Sequence, residues 1–209
     1  MIRLILYITT TLLIFSCGLQ TTLDLEMEKW AIKSAKLNLG LIIDSSFTDS
    51  SSLSQLFNFK SINQSGKIKT ITENEAIDIY LKSINNPKQA TLPILETKDS
   101  KKGIILISGQ GLWGPIWANI LIEKDTKKIL KIEFNHKSET PGLGAKITEN
   151  KFSKQFNQLR ISLANHEVKL VKKDNSAFKV DAIAGATITS NGVSKMIKEK
   201  LNVYKIYLR

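Results

Sequence analysis

Near the carboxyl end, Asp181-Ala182-Ile183-Ala184-Gly185-Ala186-Thr187-Ile188-Thr189-Ser190 gathers small residues and three hydroxyls ahead of a helix-forming run, Asn191 to Leu201. An apolar segment, Phe178 to Ile183, leads into residues small enough for backbone to approach a ligand closely. A helix start leaves about four N–H groups without intrahelical partners and carries partial positive charge, so these residue types in this order make a seat for a phosphate. The alternative for the same residues is an ordinary Ser/Thr helix cap. Two glycine-rich stretches stand apart from it, Gly109-Gln110-Gly111-Leu112-Trp113-Gly114-Pro115 and Glu139-Thr140-Pro141-Gly142-Leu143-Gly144. Such loops bring backbone N–H groups against a flat ligand, although tight turns around a packed Trp explain them too. Acid–base or nucleophilic chemistry has little to work with. There are two histidines and one cysteine, and no carboxylate pair has a matched base. His136 reads as a loop residue outside the site, and the single Cys17 leaves no internal disulfide and no cysteine-built metal cluster, so no metal site is expected.

The elements that position these stretches follow from periodicity. Ile104 to Ser108, Trp117 to Ile122 and Ile129 to Phe134 read as strands of an antiparallel meander, with Asp125-Thr126-Lys127-Lys128 as the turn between the last two. Thr72-Glu73-Asn74-Glu75 fits a capping box, continued by Ala76, Ile77, Tyr80 and Ile84 as an amphipathic helix. Pro87 and Pro93 bracket a break into extended structure. Phe152 to Leu163 reads as a helix, Val168 to Val171 as a strand, and the tail Val203 to Leu208 as a segment for a sheet edge or a partner. Leu25 to Leu39 has helical spacing, whereas Asp44 to Gly66 is rich in Ser, Asn, Asp and Thr and reads as an exposed connection.

From Leu4 to Leu23 no residue is charged, and a helix of that length spans a bilayer core of about 30 Å. A retained anchor, a cleaved signal peptide and a lipoprotein signal with Cys17 as the lipidated residue are the three readings, and the uncharged length favours the anchor. Arg3 on one side against Lys29, Lys33 and Lys36 on the other does not by itself favour export of the large C-terminal part. The net charge of +11 is almost all lysine, since arginine occurs only as Arg3, Arg160 and Arg209. Without the bidentate guanidinium or interleaved aromatics, that charge is a solvated surface and no nucleic-acid partner is expected.

The wording of the motifs closely resembles that of the FMN-binding domains of respiratory subunits. Their flavinylation motif is usually written with Asp, then Ser or Thr, Gly, Ala and the acceptor Thr. The resemblance implies that Thr187 carries FMN covalently through a phosphoester, that Gly185 and Ala186 give access to it, and that Asp181 is read by the flavin transferase. Ala184 stands where the family usually has Ser or Thr, so one hydroxyl is missing. Gly-Leu-Trp-Gly-Pro-Ile-Trp, then Glu-Thr-Pro-Gly-Leu-Gly, then Gly-Ala-Thr, in that order, resembles the C subunits of the sodium-translocating NADH:quinone oxidoreductases over about Gly103 to Leu208. The related G subunit of a ferredoxin-linked ion-translocating complex shares the last two motifs, and a lipid-anchored binding protein without flavin is the alternative of another class.

On that resemblance the fold class is α+β, a single N-terminal transmembrane helix followed by an FMN-binding domain with a mostly antiparallel sheet and flanking helices. The expected division is an anchor over 1–23, a helical connection and exposed linker over 24–69, and an extracytoplasmic domain over 70–209. The expected cofactor contacts are Thr187, Gly185, Ala186, Asp181 and Thr189 from the helix start, Leu112 and Trp113 as apolar walls, and Glu139, Thr140, Gly142, Leu143 and Gly144 from the second loop. The backbone N–H groups of Thr140, Gly142 and Gly144 are the donors expected at the pyrimidine end of the ring, where negative charge builds on reduction. The implied function is electron transfer within a membrane complex that oxidises NADH, reduces quinone and pumps sodium. Its implied partners are the other subunits, the flavin transferase during maturation and membrane lipid.

Overall fold

Alternating side chains along β4 (Lys102–Gln110) set the layering: Ile105 and Ile107 enter one hydrophobic cluster, while Ile104 and Leu106 enter another. The computed structural model describes residues 26–29, 31–43, 45–48, 52–163 and 168–209. The expected anchor over 1–23, Cys17 and Trp30 lie outside the described residues. No helix among the described residues is long and apolar enough to cross a membrane.

Eight strands form one antiparallel sheet in the order β2-β1-β3-β4-β5-β6-β7-β8. They are β1 (Phe57–Asn63), β2 (Ile68–Thr70), β3 (Thr91–Thr97), β4, β5 (Pro115–Glu123), β6 (Lys128–His136), β7 (Arg160–Ser162) and β8 (Lys169–Val171). On one face, helix α1 (residues 31–41, with 26–29 also helical) and α2 (Glu73–Asn85) pack Ala35, Leu39, Ala76, Ile77 and Tyr80 onto Phe57, Phe59, Leu95 and Leu121. On the other, α4 (Thr187–Val203) packs Val193, Met196, Ile197 and Leu201 onto Ile105, Ile107, Ile116, Ala118 and Ile120. The expected capping box forms: Glu75 N–H donates to Thr72 Oγ1 at 3.3 Å, and Thr72 N–H donates to Glu75 Oε2 at 2.7 Å. The three strands of the meander form where the alternation places them, each a few residues longer.

Four expectations change. Residues 57–63, expected inside an exposed connection, are β1, and Phe57, Phe59 and Ile62 are buried from it on both faces. The polar residues between them masked the alternation. The break does not extend to Pro93, because β3 already begins at Thr91 and Pro93 lies inside it. Phe152 to Leu163 is not one helix: α3 (Asn150–Ser153) passes into a 3-10 turn at Lys154–Phe156, and Gln158 takes φ 68 before β7 begins. Phe152 and Phe156 do share a face, packing on Phe134. Beyond them Ile129 N–H donates to Leu159 O and Ile161 N–H to Lys127 O, so sheet hydrogen bonds win over helix continuation. The tail neither pairs at an edge nor waits for a partner, since Tyr204, Tyr207 and Leu208 are buried in the core. Pro93 offers no N–H to the strand beside it, and the β3–β4 pairing runs only from Ile94 to Glu96. The Tyr204 hydroxyl enters there, within reach of Pro93 O at 3.0 Å and Leu106 O at 2.9 Å, and accepts from Leu106 N–H at 3.3 Å.

A buried charge at the end of β3 gives the fold a pH dependence. Glu96 is paired with Lys60 and Lys124. Burial alone raises its pKa, but hydrogen bonds from Lys124 and Lys60 and their charges hold it below its ordinary 4.5. Its folded value is therefore depressed, so the stability it contributes is present above pH 4.5 and is lost as pH falls through the folded value. Denaturant titrations of the wild type and Glu96→Gln are expected to differ near pH 7 and to converge below pH 4.5. Curves that keep a constant gap across that range contradict the assignment.

Candidate flavin site

Three stretches far apart in sequence meet at the amino-terminal end of α4. The 111–114 turn is closed by Gly111 N–H donating to Gly114 O at 2.8 Å. The 139–144 loop turns on Thr140 O, which accepts from Leu143 N–H at 3.1 Å and Ala145 N–H at 3.2 Å. Gly185, with φ +74, precedes α4 and lies against the Leu143 side chain, and its left-handed backbone conformation favours glycine. Glu139 ties the three together. Its Oε1 accepts from Trp113 N–H at 2.9 Å and its Oε2 from the Thr189 hydroxyl at 2.6 Å.

The start of α4 is not a side-chain cap. Its N-cap is Ala186, which has no side-chain hydrogen bond to the helix, and Thr187 is the first helical residue. The first backbone bond back into the turn comes from Ser190 N–H to Ala186 O, at 3.0 Å. Among the described residues, the N–H groups of Thr187, Ile188 and Thr189 have no acceptor. These donors and the helix dipole give a 17-residue helix an open positive end. Thr187 is exposed there. Thr189 is 1% exposed. The Ser190 hydroxyl is also turned inward, accepting from Ile183 N–H at 3.0 Å and donating to Ala186 O at 3.0 Å. Asp181 is exposed, with its N–H donating to Gln155 Oε1 at 2.8 Å, and Ala184 is exposed beside it.

Large apolar side chains stand in solvent around this end. Among the described residues Leu112, Trp113, Leu143 and Ile188 make up four of the seven exposed large hydrophobics, and Trp113 is 64% exposed. A concentration of this kind, all from the three converging stretches, marks a binding surface. The N–H groups of Thr140, Gly142 and Gly144 have no acceptor among the described residues. The structure brings the 111–114 turn, the 139–144 loop and the start of α4 together, whereas Asp181 contacts Gln155, and Gly144 and Ala186 are buried. Thr187 and the apolar walls are open, whereas Glu139 and Thr189 are buried against each other. Sequence reasoning missed Ile188 and also His136, whose Nδ1 accepts from Glu139 N–H at 3.1 Å and steadies the loop. A groove of about 590 Å³ lies elsewhere, between β8, residues 177–180 and the outer side of α4, and touches none of the expected contacts.

The arrangement fits a flavin mononucleotide. It offers an exposed hydroxyl at an uncapped helix start for the phosphate, apolar walls for the ring and free amides for its polar edge. Residues 111–202, which begin at the first glycine loop and end in α4, match the family model of the FMN-binding domain. Over 125 residues the chain is 31% identical to the C subunit of the Na(+)-translocating NADH-quinone reductase of Chlamydia trachomatis, covering 50% of this chain and 40% of that protein. Over 100 residues it is 35% identical to the C subunit of the Vibrio campbellii reductase, covering 46% of this chain and 38% of that protein. The chain thus spans less than half the length of these relatives. The crystal structure of the C subunit from Parabacteroides distasonis superposes with a TM-score of 0.66 at 26% identity, covering 88% of this chain and 95% of that one. Shewanella oneidensis NqrC shares the fold, with a TM-score of 0.61 at 16% identity over 84% of this chain and 96% of that one. Residues 111–202 thus match the FMN-binding domain family model, in a chain that is similar in sequence and fold to the C subunits of the Na(+)-translocating NADH-quinone reductases.

Proposed function

We propose that this chain carries FMN on Thr187 through a phosphoester and serves as an electron-transfer subunit of a sodium-translocating NADH:quinone reductase. The observation that carries this reading is the exposed Thr187 at an uncapped helix start, with Leu112, Trp113, Leu143 and Ile188 exposed on the three stretches that meet there. The phosphate is seated by the amides of Thr187, Ile188 and Thr189. Gly185 and Ala186 leave the acceptor open, and exposed Asp181 is the residue offered to the flavin transferase. Trp113, Leu112, Leu143 and Ile188 wall the ring, and the free N–H groups of Thr140, Gly142 and Gly144 are the donors for its pyrimidine edge. When bound, FMN supplies reversible uptake and release of electrons.

No residue of the site is placed as acid, base or nucleophile toward a substrate, so NADH and quinone are handled by the other subunits. The wording Leu-Trp-Gly-Pro-Ile-Trp and the relatives named above support the C subunit over the G subunit of the ferredoxin-linked complex. We place residues 1–23 as a single-pass anchor in the bacterial cell membrane, residues 24–69 as the connection, and the domain over 70–209 on the extracytoplasmic side. The 24–69 connection contributes β1 to the sheet of that domain. Outside the cytoplasm lost FMN cannot be replaced from the cytosolic pool, and the covalent bond supplies retention.

The test is coexpression with a flavin transferase followed by denaturing electrophoresis under ultraviolet light. A fluorescent band at the size of this chain is expected. A dark band beside a labelled known substrate of the same transferase would turn the reading toward an anchored protein without flavin.

A further inference from the structure

Glu139 and Thr189, both offered by sequence as flavin contacts, face each other in the interior. Glu139 is 4% exposed, and both carboxylate oxygens are occupied, by Trp113 N–H at 2.9 Å and by the Thr189 hydroxyl at 2.6 Å. Space around it is closed as well. A Cβ on Gly111 would lie 2.5 Å from Oε1, and a Cβ on Gly144 would press on Oε2 and on the Thr189 oxygen. No ligand atom has room at this carboxylate, and the Thr189 oxygen is shut in beside it. The bonds reach across 26 residues to the Trp113 loop and 50 residues to α4.

We infer that Glu139 and Thr189 are positioning residues, a tie that holds the Trp113 loop to the start of α4 before any flavin is attached. The inference rests on the proposed flavin site for its purpose, though the tie itself is measurable without flavin. A turn that contains Gly111 and Gly114 has much backbone freedom to lose on ordering. Inside the turn it makes one backbone bond, from Gly111 to Gly114, and the carboxylate supplies the second anchor at Trp113. A buried acceptor that loses its donor is penalised in full. The Thr189 hydroxyl fixes the carboxylate in rotation, and through it the oxygen that holds Trp113. The outcome is a ring platform ordered in advance, which lowers the entropy lost when the ligand arrives.

The tie is tested on the full chain produced without flavin transferase and labelled with ¹⁵N-tryptophan, by following amide hydrogen exchange. Trp117 in β5 serves as the internal reference. Thr189→Val is expected to speed exchange at Trp113 about tenfold while leaving Trp117 unchanged. Thr189→Ser keeps the hydroxyl and is expected to behave as wild type. Glu139→Leu removes both acceptors and is expected to speed Trp113 exchange at least as much as Thr189→Val, and the double variant to show no more than Glu139→Leu alone, because all act on one bond pair. Unchanged Trp113 exchange in Thr189→Val overturns the tie, as does a rise at Trp117 in step with Trp113, which reports general destabilisation. A wild type that fails to take flavin defeats the functional reading but leaves the exchange result standing.

Discussion

Thr187→Ala, coexpressed with a flavin transferase, is expected to give no fluorescent band at all, with the chain folded and present in normal amount. The completeness of the loss comes from what the other hydroxyls of the stretch are doing. Thr189 donates its hydroxyl to Glu139 and is 1% exposed, and Ser190 exchanges hydrogen bonds with Ile183 and Ala186 behind the helix. Neither can present an oxygen to a phosphate in solvent, so no residual labelling is expected from a neighbour. The fold is expected to be indifferent: Thr187 is exposed, and alanine is the best helix former, so stability should change by about 0.5 kcal/mol or less. Thr187→Ser keeps the hydroxyl and is expected to remain labelled. A band that persists in Thr187→Ala places the acceptor elsewhere, and one that needs Thr189 as well shows that the turn opens far enough to expose a residue buried here.

The division between Thr187 and Thr189 was legible in the sequence in principle. Thr189, Val193, Met196, Ile197 and Leu201 fall at helical spacing and are the buried face of α4, which leaves Thr187 and Ile188 on the open side. Sequence motifs pointed to the candidate site because small residues and hydroxyls at a helix start are a local signal. They also placed the meander, whose strands alternate strongly. They could not show which polar residues meet, because Glu139 reaches Thr189 across 50 residues of chain and no local pattern records a contact of that separation. The same limit explains β1. Phe57 and Phe59 alternate, but Asn58, Lys60 and Ser61 between and after them read as a solvent-facing connection until β3 is laid alongside. Tyr204 is a further case, since its hydroxyl is placed by the N–H that Pro93 lacks, 111 residues away.

Gly192→Ala is the substitution in which local and tertiary physics predict opposite signs. Within an isolated helix the change stabilises by about 1 kcal/mol, because glycine is the poorer helix former. In α4 a Cβ at Gly192 would press on the carbonyl oxygen of Gln110, which is backbone at the end of β4 and cannot rotate aside. Gly109 meets the same helix at Met196, where a Cβ would lie 2.7 Å from the Met196 Cβ, so α4 is seated on β4 through two glycines. Overpacking of this kind costs about 1–3 kcal/mol, enough to outweigh the gain in helix propensity. The helix must shift, and its first turn carries Thr187 while the strand it leaves runs directly into the Trp113 loop. Thermal unfolding is therefore expected to move down by about 2–4 °C for each kcal/mol of net loss. Flavin labelling of Thr187 is expected to fall with it, although the acceptor hydroxyl is untouched. A rise in melting temperature with full labelling would mean that helix propensity governs the position, and that α4 does not bear on β4 as closely as this packing requires.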